Sequence, residues 1–250
     1  ISVSGTAADE LLTGYYDHQN LYLNELRNTS LLESALADWS DYVAPLVRNP
    51  FLQNPRLYFG NSGFRDHIYF GNSEFSDYLI RDWQEEFSET AYTESLLRNR
   101  MLNELFHEVV PVILHEDDLN AMYYSIENRS PFLDRALFEF CCRIPTRHLV
   151  RNGFTKVVLR DAMAGIVPDD ILWNRRKVGF NAPVLSLLDV RDRTVREWLL
   201  DDSPIFEHVR RHKIEELVKK EQLPNSQSKF LFSFLCAKVF VERFAYARVS

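Results

Sequence analysis

The stretch that decides the fold, residues 1–10, reads ISVSGTAADE. Ile1 and Val3 are β-branched and precede Gly5, so a short strand is predicted to end at a glycine turn. Residues 7–26 then carry apolar side chains at a spacing that suits a helix better than a strand. The chain is therefore predicted to begin with a strand, a turn and a helix.

Most of the remaining sequence has the apolar spacing of helices. Helices are predicted over residues 30–47, 93–125, 135–143, 155–164, 190–200, 207–221 and 228–248. Ser30 is the expected N-cap of the first of these, with Glu33 as its capping-box partner. Gly14 should weaken the opening helix, and Pro111 should kink or divide the long one. The predicted fold class is mainly α, and the chain begins on what we interpret as the last strand of an α/β sheet.

Residues 49–82 differ from the rest because Pro, Asn and Gly are frequent there. The segment YFGNSGF at residues 58–64 recurs as YFGNSEF at residues 69–75. Aromatic ends around Gly-Asn centres indicate two similar turns, and two copies are too few for a solenoid. We interpret the segment as a loop-rich insertion in one domain.

Composition narrows the class of protein. The chain has 250 residues, 46% of them hydrophobic, and a formal net charge of −7, which fits a globular protein without general nucleic-acid affinity. It contains neither an apolar stretch of roughly 20 residues nor the layout of a signal peptide, so we expect no membrane association and a cytoplasmic location. Because the chain lacks an initiating methionine, we expect it to be a piece of a longer protein.

The strand-to-helix junction is a candidate anion site. Ser4 and Gly5 lie where free backbone N–H groups meet the positive end of a helix dipole. Asp9 and Glu10 fall in the first helical turn, where carboxylates simply pair favourably with the dipole. The functional alternative is a carboxylate that holds Mg²⁺ against a polyphosphate.

Three further blocks accompany this junction: SIENRSPFLD at residues 125–134, NGFTKVVLR at 152–160 and RRKVGFNAP at 175–183. Together with the junction and the pair Gly14-Tyr15, they resemble the synthetase domain of the asparagine synthetase B family over residues 1–22 and 114–183. The resemblance implies the C-terminal, largely helical half of an α/β ATP-pyrophosphatase (adenine nucleotide α hydrolase-like) domain. Residues 1–250 are then the C-terminal part of one synthetase domain.

The resemblance also implies a reaction. Members of the family adenylate a carboxylate with ATP and Mg²⁺, release pyrophosphate and form an amide with ammonia derived from glutamine. Ser4 and Gly5 would contact the nucleotide, Asp9 would bind the Mg²⁺, and Lys156 would be the catalytic cation near the α-phosphate. Without the family context, Lys156 is a solvated surface charge.

The cations Arg175, Arg176 and Lys177 match the family's Arg-Arg-x-Lys-x-Gly-Phe pattern closely. A charge run of this kind is usually solvated. By resemblance, the three side chains bind phosphate or order a loop over the active site, and the sequence does not choose among them.

The chain departs from the family at a position that faces the acceptor substrate. Thr6 stands where the family has a glutamate that faces the acceptor, and a threonine cannot act as a carboxylate base. Thr6, Glu116 and Asp117 are nevertheless candidate substrate-binding residues, although the two acids also suit an exposed helix face. The carboxylate substrate is therefore open: aspartate, or another acid such as a sugar acid in an amidotransferase or β-lactam synthetase-like enzyme.

Two family parts are missing from the sequence: the Ser-Gly-Gly-x-Asp-Ser pyrophosphate loop and the N-terminal glutaminase domain. We therefore expect this piece alone to be inactive. A homodimer is possible, and an inactive scaffold that retains the fold is the alternative from a different class.

Overall fold

The protein is described by a computed structural model that covers residues 1–61, 64, 75–81, 88–177 and 184–244. These residues are mostly helical. The chain divides into two compact units, the first made of Ile1–Phe64 and Phe87–Val178 and the second of Arg65–Glu86 and Gly179–Ser250.

A parallel pair of short strands lies at the start of the first unit. β1 (Ser2–Val3) pairs with β2 (Asn128–Arg129), with Ser2 opposite Asn128 and Val3 opposite Arg129. Ser4 N donates to Arg129 O at 2.9 Å, which extends the pairing by one bond. The predicted strand is confirmed. β2 was not predicted, because it has two polar residues without alternation and owes its conformation to its partner.

The first unit contains nine helices among the described residues. They are α1 (Ala8–Leu12), α2 (Tyr16–Glu25), α3 (Leu32–Asp38), α4 (Leu57–Gly60), α5 (Leu96–Asn103), α6 (Val110–Tyr123), α7 (Arg135–Arg143), α8 (Val157–Ala162) and α9 (Asp169–Leu172). The helix predicted over residues 7–26 is thus two helices. They separate around Gly14, the position expected to be weak.

The start of α3 differs from the prediction. Its N-cap is Leu31, whose N–H donates to Thr29 Oγ1 at 3.3 Å, so the capping box of Ser30 and Glu33 is wrong. A short 3₁₀ turn ends at Asn28 and already sets the direction of the chain before Ser30. Helical backbone continues beyond α3 through a π-helical and a 3₁₀ turn to Leu46, close to the predicted end.

The long helix predicted over residues 93–125 is divided as expected. Ser95 caps α5 by accepting from Arg98 N, and a π-helical turn follows at Glu104–Glu108. Pro111 lies in the first turn of α6, where its missing N–H has no intrahelical partner to lose. Asp134 caps α7 by accepting from Leu137 N at 2.9 Å.

The core of the first unit holds α1 against α5, α7 and α8. Leu21, Leu97 and Leu149 are completely buried, and Leu11 and Met101 are nearly so. Because α1 buries its leucines, the side chain of Asp9 is left at the rim of this core. The core therefore fixes where the candidate site lies.

The second unit contains four helices among its described residues: α10 (Val184–Leu187), α11 (Arg193–Leu199), α12 (Arg211–Val218) and α13 (Asn225–Phe244). Its core includes Ile214, Leu217 and Leu231, which are completely buried. α12 is shorter than predicted because a 3₁₀ turn at Pro204–Glu207 precedes it.

Parts of two predictions lie outside the described residues. In the loop-rich segment 49–82, the structure describes a 3₁₀ turn at Pro50–Leu52 and α4, but most of the second repeat copy falls outside. The predicted end of the last helix, residues 245–248, also falls outside. None of the helices described is both long enough and apolar enough to cross a bilayer.

Candidate functional site

The carboxylate of Asp9 lies between two lysines from distant parts of the chain. Lys156 Nζ is 2.5 Å from Oδ1, and Lys177 Nζ is 2.7 Å from Oδ2. The Asp9 side chain is 20% exposed, so a ligand can reach it. Three of the site residues predicted from the sequence thus meet at one point.

Electrostatics at this point favour the charged carboxylate. Burial alone would raise the pKa of Asp9, but the ammonium groups of Lys156 and Lys177 outweigh burial and hold that pKa below its ordinary value. Asp9 is therefore an anion at neutral pH, with both oxygens directed at cations.

Gly14 makes room for the Asp9 carboxylate. A Cβ atom at this position would lie 1.5 Å from Asp9 Oδ1, far inside van der Waals contact. The backbone N–H of Gly14 also donates to Asp9 O at 2.8 Å. The sequence marked Gly14 only as a weak point in a helix, whereas its tertiary role is to leave space for the site.

Lys156 is held at the site by its backbone. Its φ of 56° lies in the left-handed region, which is unfavourable for a residue with a side chain, and its N–H donates to Leu12 O at 3.0 Å. Thr13 is also left-handed, with a φ of 67°, and its hydroxyl donates to Leu149 O at 3.2 Å. The end of α1 and the start of α8 are therefore joined directly, and the local strain occurs where Asp9 and Lys156 meet.

The structure separates the three cations of the basic triplet. Arg175 is half-buried: its guanidinium lies 4.2 Å from the ring centroid of Tyr42 and 3.9 Å from that of Phe154, and Nε donates to Asn152 O. The exposed Arg176 side chain has no hydrogen-bond or ion-pair partner in the part of the chain that the structure describes. Lys177 alone reaches Asp9.

The predicted nucleotide-binding residues lie where β1 ends. Ser4 Oγ donates to Thr6 Oγ1 at 2.8 Å and is 3.1 Å from Ser130 Oγ, so three hydroxyls meet beyond the ends of β1 and β2. Gly5 is exposed beside them. Ser130 was not singled out from the sequence, since it becomes a neighbour of Ser4 only through the pairing of the two strands.

Glu116 and Asp117 lie on α6, Glu116 exposed and Asp117 half-buried. Among the described residues, neither forms a hydrogen bond or an ion pair with Asp9, Lys156 or Lys177. Their assignment as substrate-binding residues stays a prediction.

A buried charge network behind the site was missed by the sequence analysis. Within the described ranges, Arg100 Nε lies 3.0 Å from Glu104 and 4.0 Å from Asp17, while its terminal nitrogens bind Glu89 and Glu108. The Arg100 side chain is 2% exposed. The spacing of residues 100, 104 and 108 on one helical face was the available signal.

His18 completes this network. Its Nε2 is 2.7 Å from Glu104 Oε2, and the imidazole is fully buried. Burial would lower the pKa of His18, but the carboxylates of Glu104 and Asp17 outweigh burial and raise it. Ligand atoms of Asp17, His18 and Glu104 lie within 4.8 Å of one another, but both oxygens of Glu104 are already bonded, one to His18 Nε2 and the other to Arg100 Nε, so we assign the cluster to structure.

Tyr15 links the network to the site. Its hydroxyl donates to Glu10 Oε1 at 2.5 Å, and its ring meets the ring of His18 edge-on, with the centroids 5.2 Å apart. Burial and the neighbouring carboxylate of Glu10 raise the pKa of Tyr15, so its hydroxyl remains a proton donor. Glu10 is almost completely buried and therefore faces the interior, in contrast to Asp9.

The family model described as asparagine synthase matches residues 1–240. The chain belongs to the asparagine synthase family.

Curated proteins similar to the chain carry related names. The chain is 29% identical over 214 residues to asparagine synthetase [glutamine-hydrolyzing] 1 of Bacillus subtilis (strain 168), across 80% of this chain and 33% of that protein. It is 27% identical over 213 residues to a putative asparagine synthetase [glutamine-hydrolyzing] of Mycobacterium tuberculosis (strain ATCC 25618 / H37Rv), across 79% and 32%. The chain thus spans about a third of the length of these relatives. No solved structure matches it significantly.

Proposed function

We propose that this chain supplies part of the active site of an ATP-dependent ligase that adenylates a carboxylate, releases pyrophosphate and forms an amide with ammonia from glutamine. The observation that carries the proposal is the convergence of Lys156 and Lys177 on Asp9. Adenylation brings a carboxylate against a polyphosphate, so the site must offset several negative charges at once. Two ammonium groups beside a metal-binding carboxylate suit that requirement.

Each of the three residues has a proposed task. Lys156 stabilises charge at the α-phosphate during attack by the substrate carboxylate, and Lys177 binds the outgoing phosphates as a compact cation. Arg175, clamped between two rings, orders the segment that carries Lys177. Arg176, whose guanidinium is exposed, is available to a phosphate.

Asp9 fits a magnesium ligand. Its carboxylate is ionised, partly exposed and already placed between cations, and magnesium is commonly bound by one or two carboxylates together with phosphate oxygens. Magnesium bound there would neutralise charge on the polyphosphate. When ATP binds, Lys156 and Lys177 would exchange Asp9 for the phosphate oxygens.

The fold assignment follows from the same proposal. We take the chain as the C-terminal part of one synthetase domain of the ATP-pyrophosphatase type, with the glutaminase domain and the pyrophosphate loop in other parts of the full-length protein. The parallel pairing of β1 with β2, and the position of Ser4 and Thr6 beyond their carboxyl ends, support this assignment, since α/β sheets bind ligands at that edge.

Aspartate is the first acceptor to test, because the relatives are named asparagine synthetases. Thr6 favours a second candidate. It offers a hydroxyl bonded to Ser4 rather than a carboxylate, which suits a different acid such as a sugar acid.

The test is pyrophosphate release by the full-length protein with ATP and magnesium. Aspartate, malate, succinate and glucuronate should be compared, with the amine supplied as glutamine or as ammonium chloride. We expect at least one acid to support release, and ammonium to replace glutamine. Failure of every acid with both amines would overturn the ligase proposal and favour a scaffold.

A further inference from the structure

Two adjacent tyrosines at the start of α2 contact Lys177 in different ways. The hydroxyl of Tyr16 accepts a hydrogen bond from the backbone N–H of Lys177 at 3.3 Å. The Nζ atom of Lys177 lies 5.1 Å from the ring centroid of Tyr15, within the range of a cation–π interaction. One tyrosine thus holds the backbone of Lys177, and the other supports its charge.

Both tyrosines are themselves fixed. Tyr15 is tied to the buried Glu10 through its hydroxyl and packs edge-on against the buried His18. Tyr16 is the first residue of α2 and is half-buried against the core of the first unit. A residue held by these rings therefore has its position set by the interior of the unit.

Among the described residues, Lys177 has few restraints besides these tyrosines and Asp9. The described segment before it is exposed at Asn174 and Arg176, and its local bond, from Arg176 N to Asn174 Oδ1, stays within the segment. Arg175 is the other anchored residue. A flexible lysine side chain without a fixed backbone would sample many positions around Asp9 at a cost in conformational entropy.

We infer that Tyr15 and Tyr16 are positioning residues that place Lys177 at the phosphate side of the Asp9 site. This inference rests on the proposed function for the role of Lys177, but the anchoring itself does not depend on any reaction. When a ligand replaces Asp9 as the ion-pair partner of Lys177, the tyrosine contacts remain and keep the ammonium group facing the site.

The first test needs no substrate. Trypsin cleavage of the full-length protein after Arg176 reports how firmly the backbone of Lys177 is held. Tyr16→Phe removes the acceptor and keeps the ring, so we expect cleavage to be about fivefold faster. Tyr123→Phe, the same substitution at a tyrosine that is 82% exposed, is the matched control and should leave the rate unchanged. A Tyr16→Phe rate equal to that of the wild type would overturn the anchoring.

The second test uses pyrophosphate release. Tyr15→Leu removes the ring under Lys177 and should raise the KM for ATP about fivefold, with little change in kcat. Tyr15→Phe keeps the ring but loses the bond to Glu10, and it should retain the wild-type KM. That result would show that the effect of Tyr15→Leu comes from the loss of the ring and not from the loss of the bond to Glu10. In a Lys177→Met background, Tyr15→Leu should change the KM less than about twofold, because the two residues act through one contact.

The outcomes separate the two proposals. Equal effects of Tyr15→Leu with and without Lys177 would overturn the positioning role while leaving the ligase intact. No pyrophosphate release from the wild type with any acid would overturn the ligase proposal, and the trypsin result would still decide whether Tyr16 anchors Lys177.

Discussion

Lys156 Nζ lies 2.5 Å from Oδ1 of Asp9, so two residues predicted to serve the reaction are ion-paired with each other. Lys177 completes the arrangement at the other carboxylate oxygen. The pair keeps the lysine extended toward the place where phosphate is expected. Ligand binding then exchanges partners and does not need to order a free side chain.

Lys156→Met should reduce pyrophosphate release by the full-length protein at least about 100-fold, since it removes a cation from the transition state. The fold should persist, because Lys177 still neutralises Asp9. Lys219→Met makes the same substitution at an exposed lysine in the second unit; it is the matched control and should retain activity. Activity of Lys156→Met within about threefold of the wild type would contradict the catalytic assignment.

Asp9→Asn should change the dependence of stability on pH. The pKa of Asp9 is lowered from its ordinary value of 3.8, so its charge stabilises the fold fully above that value and the stabilisation is lost as the pH falls through the lower, folded-state pKa. The free energy of unfolding of the wild type should therefore exceed that of the variant at neutral pH. We expect the difference to shrink as the pH falls below about 4 and to continue shrinking as the pH passes through the lower folded-state pKa, measured by urea denaturation. A difference independent of pH would show that Asp9 is not stabilised by the lysines; Asp118→Asn, at an exposed site, is the control.

Gly14→Ala should destabilise the protein by at least about 2 kcal/mol, because its Cβ would overlap the carboxylate of Asp9. Displacement of Asp9 should also weaken magnesium binding, so that pyrophosphate release requires a higher magnesium concentration. Gly60→Ala is the matched control, since a Cβ there meets nothing within 4 Å. Thermal unfolding of the three proteins measures the effect, and equal melting temperatures for both variants would refute the steric role of Gly14.

His18→Gln should remove a stability loss that occurs at alkaline pH. The pKa of His18 is raised above its ordinary value of 6.5, so the bond to Glu104 stabilises the fold fully below that value and is lost as the pH rises through the folded-state pKa. The wild type should therefore lose stability relative to the variant as the pH increases above about 6.5. Urea denaturation across this range measures the loss. Parallel pH profiles for the two proteins would mean that His18 is not protonated in the fold.

Local patterns predicted most of the helices and the first strand. The apolar spacing of residues 135–143 gave α7 with its observed ends, and Pro111 marked the division of the long helix. The capping box at Ser30 failed because a preceding 3₁₀ turn ends next to it, which spacing alone does not reveal. β2 was missed because two polar residues carry no pattern and adopt a strand only when β1 lies beside them.

For the candidate site, too, the sequence predicted some features and the tertiary structure alone decided others. By itself, the sequence determined which residue types are present, that Asp9 begins a helix after a glycine turn, and that motifs typical of one family stand in order. Only the tertiary structure decided that Lys177, and not Arg175 or Arg176, joins Lys156 at Asp9, and that Gly14 leaves space for the carboxylate. The physical reason is range: helix spacing and turns arise between residues a few positions apart, whereas the charges of this site come from distant segments that meet only when the core packs.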